Sequence, residues 1–351
     1  MVKEKRGSGP LSRRPDNSAF KQQRLPAWSP SLSADKLLPI FYILSGVCVL
    51  LGVVLLLTVQ GTYELKVDYT EAGSCLRCHD LRKESRYALT NCSCAVDFNL
   101  SEPFTGDVFL YYGLVNFHQN LRLYMDSRDD GQLVGRKANL KSPSSYCKPF
   151  DRVNKTPIAP CGAVANSMFN DSFALVYHQP DGVTDVPLFR RGLTWYTDKN
   201  VKFRNPNPGN GTLPQVFQGT AKPLYWQRPV YDLDLSEPNN NGFINEDLIV
   251  WMREAAFPNF KKLYAILNRS RSPFRSGLPA GRYTLHVRYN YPVVYFRGRK
   301  EVVLSTVTWF GGKNHFLPIA YLVTGGVLLV TAVVLTVVYV KVGKDGKNME
   351  T

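Results

Sequence analysis

Two uninterrupted apolar runs lie near the two ends of this chain, at residues 37–59 and 316–340. Neither run contains Asp, Glu, Lys, Arg or His, and each exceeds the ~20 helical residues needed to cross a hydrocarbon core of about 30 Å. The first run begins too late and is too long for a cleaved signal peptide. The sequence therefore predicts two transmembrane helices that enclose a large domain, residues 60–315.

Basic residues are concentrated outside the two runs. The tail 341–351 holds more basic than acidic residues, and the segment 1–36 holds three acidic residues against Lys3, Lys5, Arg6, Arg13, Arg14, Lys21, Arg24 and Lys36. Positive flanks remain in the cytosol, so both termini are predicted to be cytosolic and the central domain lumenal or extracellular. This describes a multi-pass protein of the endoplasmic reticulum, Golgi or plasma membrane.

The net charge of +15 does not indicate a nucleic-acid partner. The two tails supply 11 basic and 5 acidic residues, which leaves 32 and 23 in the central domain, without a long basic run. A lumenal domain with dispersed charge has a solvated surface rather than a nucleic-acid site. Basic residues beside the first apolar run are also suited to contact anionic membrane lipids.

Six of the seven cysteines fall in the central domain: Cys75, Cys78, Cys92, Cys94, Cys147 and Cys161. An even number in an oxidising compartment indicates three disulfides, although six cysteines permit fifteen pairings. Proximity favours two bridges within residues 75–94 and a third that joins Cys147 to Cys161. That third bridge would contribute on the order of 3 kcal/mol by closing its loop in the unfolded chain.

Two other interpretations of the first cysteine cluster remain open. Cys75, Cys78 and His79 match the CxxCH pattern of covalent haem attachment, and the four clustered cysteines match a tetrahedral zinc site. Oxidation to disulfides competes with both. His79 is then expected to be a surface histidine beside a disulfide.

Asn-x-Ser/Thr sequons occur six times, all within the central domain, and none lies in the predicted cytosolic tails. This distribution agrees with a lumenal orientation. A cysteine lies within the sequon of Asn91, and Pro157 follows that of Asn154. The sites predicted to carry glycans are Asn170, Asn99, Asn210 and Asn268.

The sequence of the central domain predicts mainly β structure. Alternating apolar residues predict strands at 107–112, 283–289 and 302–309. Residues 245–267 predict a helix capped by Asn245, with Pro258 kinking or dividing it. Pro, Asn and Gly predict exposed linkers at 205–211 and 235–242.

A catalytic apparatus is not indicated. The sequence lacks GxSxG, HExxH and GxxxxGK[ST] motifs. Asp198, Lys199 and Asn200 do not form the Asp-Lys-Thr-Gly sequence that P-type ATPases phosphorylate. The carboxylates beside Arg128 are expected to be turn or salt-bridge residues. No enzyme, cofactor or metal is predicted.

Several blocks resemble the cell-division-cycle/ligand-effect-modulator family, the β-subunits of type IV P-type ATPase phospholipid flippases. The blocks occur in order along the chain: RRPDNSAFKQQRLPAW at 13–28, IAPCGAVANSMFN at 158–170, TDKNVKFRNP at 197–206, NNGFINED at 240–247, LPAGRY at 278–283, YNYP at 289–292 and GGKN at 311–314. His286, Arg288 and Asp97 depart from the family pattern, and the spacing resembles a divergent third vertebrate paralogue.

The resemblance implies an ectodomain built on an antiparallel β-sandwich with short helices and nested bridges, Cys75 with Cys94 and Cys78 with Cys92, besides Cys147 with Cys161. It implies a non-catalytic subunit that forms a heterodimer with the ATPase, escorts it from the endoplasmic reticulum and supports aminophospholipid flipping. Its cytosolic contact with the ATPase is expected at Arg13, Arg14, Pro15, Asp16, Asn17, Phe20, Gln22, Gln23, Arg24 and Trp28.

The apolar runs fit such a role because helices without Asp, Glu, Lys, Arg or His are suited to docking rather than to a proton relay. The small residues that would let another helix approach are Ser45, Gly46, Gly52, Gly325, Gly326 and Ala332. Two other functions share this layout: a subunit of a two-span homotrimeric ion channel, and an adhesion or glycan-binding receptor. The runs lack polar residues suited to a selectivity filter, which argues against the channel.

Overall fold

The computed structural model describes residues 18–26, 34–84 and 90–346. The chain divides into two compact units, one formed by its ends, Met1–Val53 and Leu317–Thr351, and one formed by Val54–Phe316. In the described ranges the α-helices are α1 (Ala34–Gln60), α2 (Cys75–Leu81), α3 (Arg122–Met125), α4 (Asp130–Leu133), α5 (Lys137–Lys141), α6 (Ala163–Asn166), α7 (Leu213–Val216), α8 (Glu246–Met252) and α9 (Phe316–Gly346). Single turns of 3₁₀-helix or π-helix occur at Ser145–Cys147, Asp198–Lys202, Val230–Asp232, Pro238–Asn240, Gly242–Ile244, Phe274–Ser276 and Val294–Phe296.

The strands all belong to the unit Val54–Phe316. They are β1 (Glu64–Asp68), β2 (Ser93–Leu100), β3 (Phe104–Thr105), β4 (Val108–Val115), β5 (Arg152–Val153), β6 (Thr156–Pro157), β7 (Ser172–Gln179), β8 (Gly182–Asp185), β9 (Leu188–Phe189), β10 (Phe260–Leu267), β11 (Gly277–Leu278), β12 (Gly281–Arg288) and β13 (Arg299–Thr306).

Helices α1 and α9 contain the two predicted spans. Both are long and apolar enough to cross a membrane, over Lys36–Gln60 and Phe316–Val342. They pack through small residues: the Ser45 hydroxyl donates to the Gly325 carbonyl at 2.8 Å, and a Cβ added at Gly325 would lie 2.7 Å from the Val49 side chain. Small residues permit this close approach because they place little side-chain volume between the two backbones.

The small residues differ in what they contact. A Cβ at Gly52 would lie 2.7 Å from the Leu322 side chain, so Gly52 also belongs to the contact between α1 and α9. Ser45 and Ala332 are buried. Gly46 and Gly326, in contrast, have open space within 4 Å. The chain therefore uses Ser45, Gly52 and Gly325 for its own helix pair.

The central unit is a sandwich of two antiparallel sheets. One has the strand order β1-β13-β4-β10-β9 and the other β2-β12-β7-β8, with two-stranded sheets β11-β3 and β5-β6 beside them. Aromatic rings join the two: Phe173 of β7 meets Tyr264 of β10 edge-on at 4.9 Å between centroids. The three strands predicted from alternating patterns correspond to β4, β12 and β13, and the mainly-β architecture is confirmed.

The helix predicted over 245–267 is only partly present. The Asn245 side chain accepts from the Leu248 amide at 3.0 Å, so the predicted cap is confirmed, but α8 ends at Met252. Residues 260–267 instead form β10, which pairs with β4. Lys262 explains the division, since its ammonium donates to the carbonyls of Trp251 and Arg253 at 2.6 Å each. The pairing of β10 with β4 and these Lys262 hydrogen bonds together outweigh local helix propensity.

The two predicted linkers are not simple exposed loops. The Asn205 side chain donates to the Asn241 carbonyl at 2.8 Å and accepts from the Phe243 amide at 2.7 Å, which fastens one loop to the other. Asn241 is itself buried. Gly242 has a φ of +83°, and a Cβ there would lie 2.1 Å from the Asn205 side chain, so glycine is required.

Three disulfides bind the central unit. They join Cys75 to Cys94, Cys78 to Cys92, and Cys147 to Cys161, the pairs that the resemblance implies. The nested pair fastens α2 to β2, since Cys75 and Cys78 lie on one face of the helix. All four clustered sulfurs are in disulfides, so none of them is a thiolate available to a metal.

A buried ion pair connects the two sheets. The Lys300 ammonium, at the start of β13, lies 2.6 Å from the Asp171 carboxylate just before β7, and both side chains are fully buried. The other carboxylate oxygen of Asp171 accepts from the backbone amides of Asn290 and Tyr291, which follow β12. Burial lowers the pKa of Lys300 to about 8, and the Asp171 charge opposes that shift.

We expect Asp171→Ala to lower the free energy of unfolding by about 3–5 kcal/mol, because Lys300 would keep a buried charge without its partner. Adding Lys300→Met should recover part of that loss, since the buried charge is then removed as well. Denaturant unfolding of the purified full-length protein measures both. Asp107→Ala, which breaks an exposed pair with Arg269, is the control. Equal losses for Asp171→Ala and the control would contradict the prediction.

A second prediction concerns the helix pair. Gly325→Leu should separate α1 from α9, whereas Gly326→Leu should not, because only position 325 faces a packed neighbour. The measurement is disulfide formation between Gly52→Cys and Leu322→Cys, in a Cys48→Ala background, in native membranes. Gly325→Leu should reduce this cross-link severalfold. An equal yield in both leucine variants would show that the contact is dispensable.

Candidate functional surfaces

The short N-terminal segment at residues 18–26 presents apolar side chains on a tight turn. The Gln22 amide donates to the Ser18 carbonyl at 3.0 Å, and the Arg24 amide donates to the Ala19 carbonyl at 2.7 Å. These bonds close the turn, and Phe20 is 75% exposed on it. An exposed aromatic ring held on a closed turn is suited to enter a pocket of a partner protein.

The predicted cytosolic contact is described only in part. Phe20, Gln22, Gln23 and Arg24 lie on the turn, of which Gln22 is partly buried and the others are exposed. The remaining predicted contact residues lie outside the described residues: Arg13, Arg14, Pro15, Asp16, Asn17 and Trp28.

The outer faces of α1 and α9 carry many exposed apolar side chains. Exposed side chains include Ile43, Leu50 and Leu57 on α1 and Val327 and Val330 on α9. Neither helix has an Asp, Glu, Lys, Arg or His residue within its apolar run. Such surfaces are suited to contact lipid tails or other apolar helices.

Buried carboxylates of the central unit are occupied by structural partners. Glu246 accepts from the Leu193 amide at 2.7 Å and from the Lys199 ammonium at 2.5 Å. Asp198 pairs with Lys202 at 2.7 Å, so the 198–200 stretch stabilises its own π-helical turn. Within the described ranges, no three His, Cys, Asp or Glu side chains group as metal ligands would.

The prediction for the carboxylates beside Arg128 is confirmed. Asp129 caps α4 by accepting from the Gln132 amide at 3.1 Å. Arg128 forms ion pairs with Asp130 at 3.1 Å and with Glu254 at 2.6 Å. These residues therefore shape a turn and fasten it to the segment after α8.

His79 is not the surface histidine that the sequence predicts. It is 7% exposed, with Nδ1 at 3.3 Å from the Tyr289 hydroxyl and Nε2 at 3.3 Å from Glu71. Burial lowers its pKa, with Glu71 acting in the opposite direction. The nested disulfides explain the burial, because they fasten α2 to β2, and β2 pairs with β12, the strand that precedes Tyr289. Sequence spacing alone does not indicate that contact.

The four asparagines predicted to carry glycans differ in their surroundings. Asn99 and Asn210 are exposed, whereas Asn170 and Asn268 are partly buried. The Asn268 side chain accepts from the Ser270 amide at 3.0 Å in a local turn. Asn170 borders a cavity, together with Ser172 of its own sequon.

Comparison with known proteins identifies the family. The model described as "LEM3 (ligand-effect modulator 3) family / CDC50 family" matches residues 55–345. The chain is 49% identical to Cell cycle control protein 50A of Bos taurus, over 95% of this chain and 91% of the relative. It is 46% identical to Cell cycle control protein 50C of Mus musculus, over 96% and 97%. It is 36% identical to ALA-interacting subunit 3 of Arabidopsis thaliana, over 93% and 87%.

These identities are similar for the 50A and 50C proteins, so they do not assign the chain to one of the two types. Assignment to a third paralogue therefore stays a prediction. The matched region includes all the strands described above, the three disulfides and nearly all of α9, but only the C-terminal end of α1. The protein is a membrane protein that belongs to the CDC50 family.

Proposed function

We propose that this protein is the non-catalytic β-subunit of a type IV P-type ATPase that flips phospholipids. The match to the CDC50 family over residues 55–345 carries the proposal. One relative is named an interacting subunit, ALA-interacting subunit 3, which agrees with a role as part of a complex. In this role the chain pairs with the ATPase, supports its folding and exit from the endoplasmic reticulum, and supports its transport cycle.

The chemistry of the described residues supports a role without catalysis. The two helices lack Asp, Glu, Lys, Arg and His within their apolar runs. The buried carboxylates Asp171, Asp198 and Glu246 are held by cations and backbone amides. Lipid movement is therefore assigned to the ATPase, while α1 and α9 supply an apolar surface for helix docking.

We place both termini in the cytosol and residues 60–315 in the lumen or outside the cell. The basic flanks, the six sequons and the three disulfides support this orientation. The domain limits that follow are 1–36, 37–59, 60–315, 316–340 and 341–351. The protein is then expected in the endoplasmic reticulum, the Golgi or the plasma membrane.

The test is affinity purification of the tagged full-length protein, in mild detergent, after co-expression with individual type IV P-type ATPases. We expect one or more ATPases to be recovered near 1:1 and to reach membranes beyond the endoplasmic reticulum only with this subunit. A homotrimer on cross-linking, with no ATPase recovered, would instead support the channel-like alternative and overturn the proposal.

A further prediction concerns the cytosolic turn. Phe20→Ala combined with Arg24→Ala should reduce ATPase recovery on the order of tenfold, because exposed aromatic and arginine side chains contribute most to many interfaces. Lys341→Ala, which removes a charge after the second apolar run, is the control. Recovery should be read at equal amounts of subunit outside the endoplasmic reticulum. Equal recovery in both variants would place the contact elsewhere.

A further inference from the structure

A cavity of about 240 Å³ lies where β7 begins and β12 ends. Asn170, Asp171 and Ser172 line one side, and Arg288 and Asn290 line the other. Ser172 is paired with Arg288 in the register of the two strands, so Arg288 lies directly opposite the third residue of a sequon. The volume is below the about 300–1,000 Å³ of ordinary ligand pockets and suits a single sugar ring.

Two side-chain oxygens at this cavity have no hydrogen-bond partner. Asn290 is 3% exposed, and its side-chain amide donates to the Asn170 carbonyl at 3.0 Å, but its Oδ1 accepts from no group. The Oδ1 of Asn170 is likewise buried and without a partner. Burying a hydrogen-bond acceptor without a donor costs free energy. A ligand that donates hydrogen bonds to these two oxygens would remove that cost.

Two arginines that line the cavity, partly buried Arg228 and exposed Arg288, form no ion pair within the described part of the chain. Arg190 is occupied, because it contacts Asp247 at 2.7 Å and lies 4.3 Å from the centre of the Tyr264 ring. Among the described residues, nothing forms a hydrogen bond or an ion pair with the side chains of Arg228 and Arg288. Two guanidinium donors and two residues with unsatisfied acceptors line the same cavity. This set fits a ligand with both hydroxyl and carbonyl groups better than a simple anion.

The orientation of Asn170 indicates where that ligand comes from. Its Oδ1 is buried, whereas its Nδ2 makes no hydrogen bond and is accessible to solvent. An N-linked glycan needs this arrangement, since it leaves through the amide nitrogen. The backbone at Asn170 is held in place, because its carbonyl accepts from the Asn290 side chain. The next residue, Asp171, is paired with Lys300.

We propose that the first N-acetylglucosamine of a glycan on Asn170 occupies this cavity as a part of the folded protein. In the transfer, the bond from Asn170 Nδ2 to the sugar C1 forms. The bond from C1 to the diphosphate of a polyprenyl carrier breaks, and Nδ2 releases a proton. The sugar hydroxyls donate to Asn290 Oδ1, and Arg228 and Arg288 donate to its ring and acetamido oxygens. The covalent link removes most of the entropy cost of binding.

The proposal is independent of any ATPase partner, and enzymatic deglycosylation of the native full-length protein tests it. Peptide N-glycosidase F must reach the first sugar, so a seated glycan on Asn170 should be released on the order of tenfold more slowly than one on exposed Asn210. Mass spectrometry of both sites over time measures the rates. After denaturation the two rates should become equal.

The cavity variant is Arg228→Ala with Arg288→Ala, and it should bring release at Asn170 to within about twofold of Asn210. The matched control is Arg282→Ala, which removes an exposed arginine from the same strand but outside the cavity. Unchanged release at Asn210 and an unchanged melting temperature show that each variant is folded. If the double variant is not folded, Arg228→Ala alone replaces it.

Three results would overturn the proposal. The first is an Asn170 without a glycan in the mature protein. The second is native release at Asn170 as fast as at Asn210. The third is an equally slow release of the Asn170 glycan in the cavity variant and in the control variant. That result would assign the protection to another part of the surface.

Discussion

The ion pair between Asp171 and Lys300 is the constraint on which the ectodomain depends. Both side chains are fully buried, and the pair brings together the starts of β7 and β13 and the chain that leaves β12. The Tyr69 hydroxyl, after β1, donates to the same carboxylate at 2.8 Å. Transferring a charge from water into the protein interior is costly unless its partners are in place. These segments therefore acquire their positions together.

The same interactions hold the backbone of the neighbouring sequon in place. Asp171 is the central residue of the Asn170 sequon, and its carboxylate is held by groups from three other segments. Asn170 therefore presents its side chain from a fixed backbone at the edge of a small polar cavity. Folding of the sandwich and placement of the proposed glycan would depend on the same few interactions. A loop sequon such as that of Asn210 has no comparable support.

The two membrane helices follow a different principle. Their contact depends on backbone proximity at Gly52 and Gly325 and on one hydrogen bond from Ser45, without charged groups. Such a pair holds its geometry in lipid because close packing replaces the hydrophobic effect that acts in water. The apolar outer faces and the open surroundings of Gly46 and Gly326 remain available to a larger partner, as the proposed role requires.

The sequence by itself determined the two spans, the disulfide-rich central domain, three of its strands and the cap at Asn245, because each follows from a local pattern of polarity or spacing. Only the tertiary structure decided that residues 260–267 form a strand, that His79 is buried, and that Gly325 rather than Gly326 meets α1. It also decided the pairing of Asp171 with Lys300, 129 positions apart. Local patterns of polarity indicate which side chains of a segment face water or lipid. The strand, the buried histidine, the glycine contact and the ion pair depend instead on which distant segment packs against each of them.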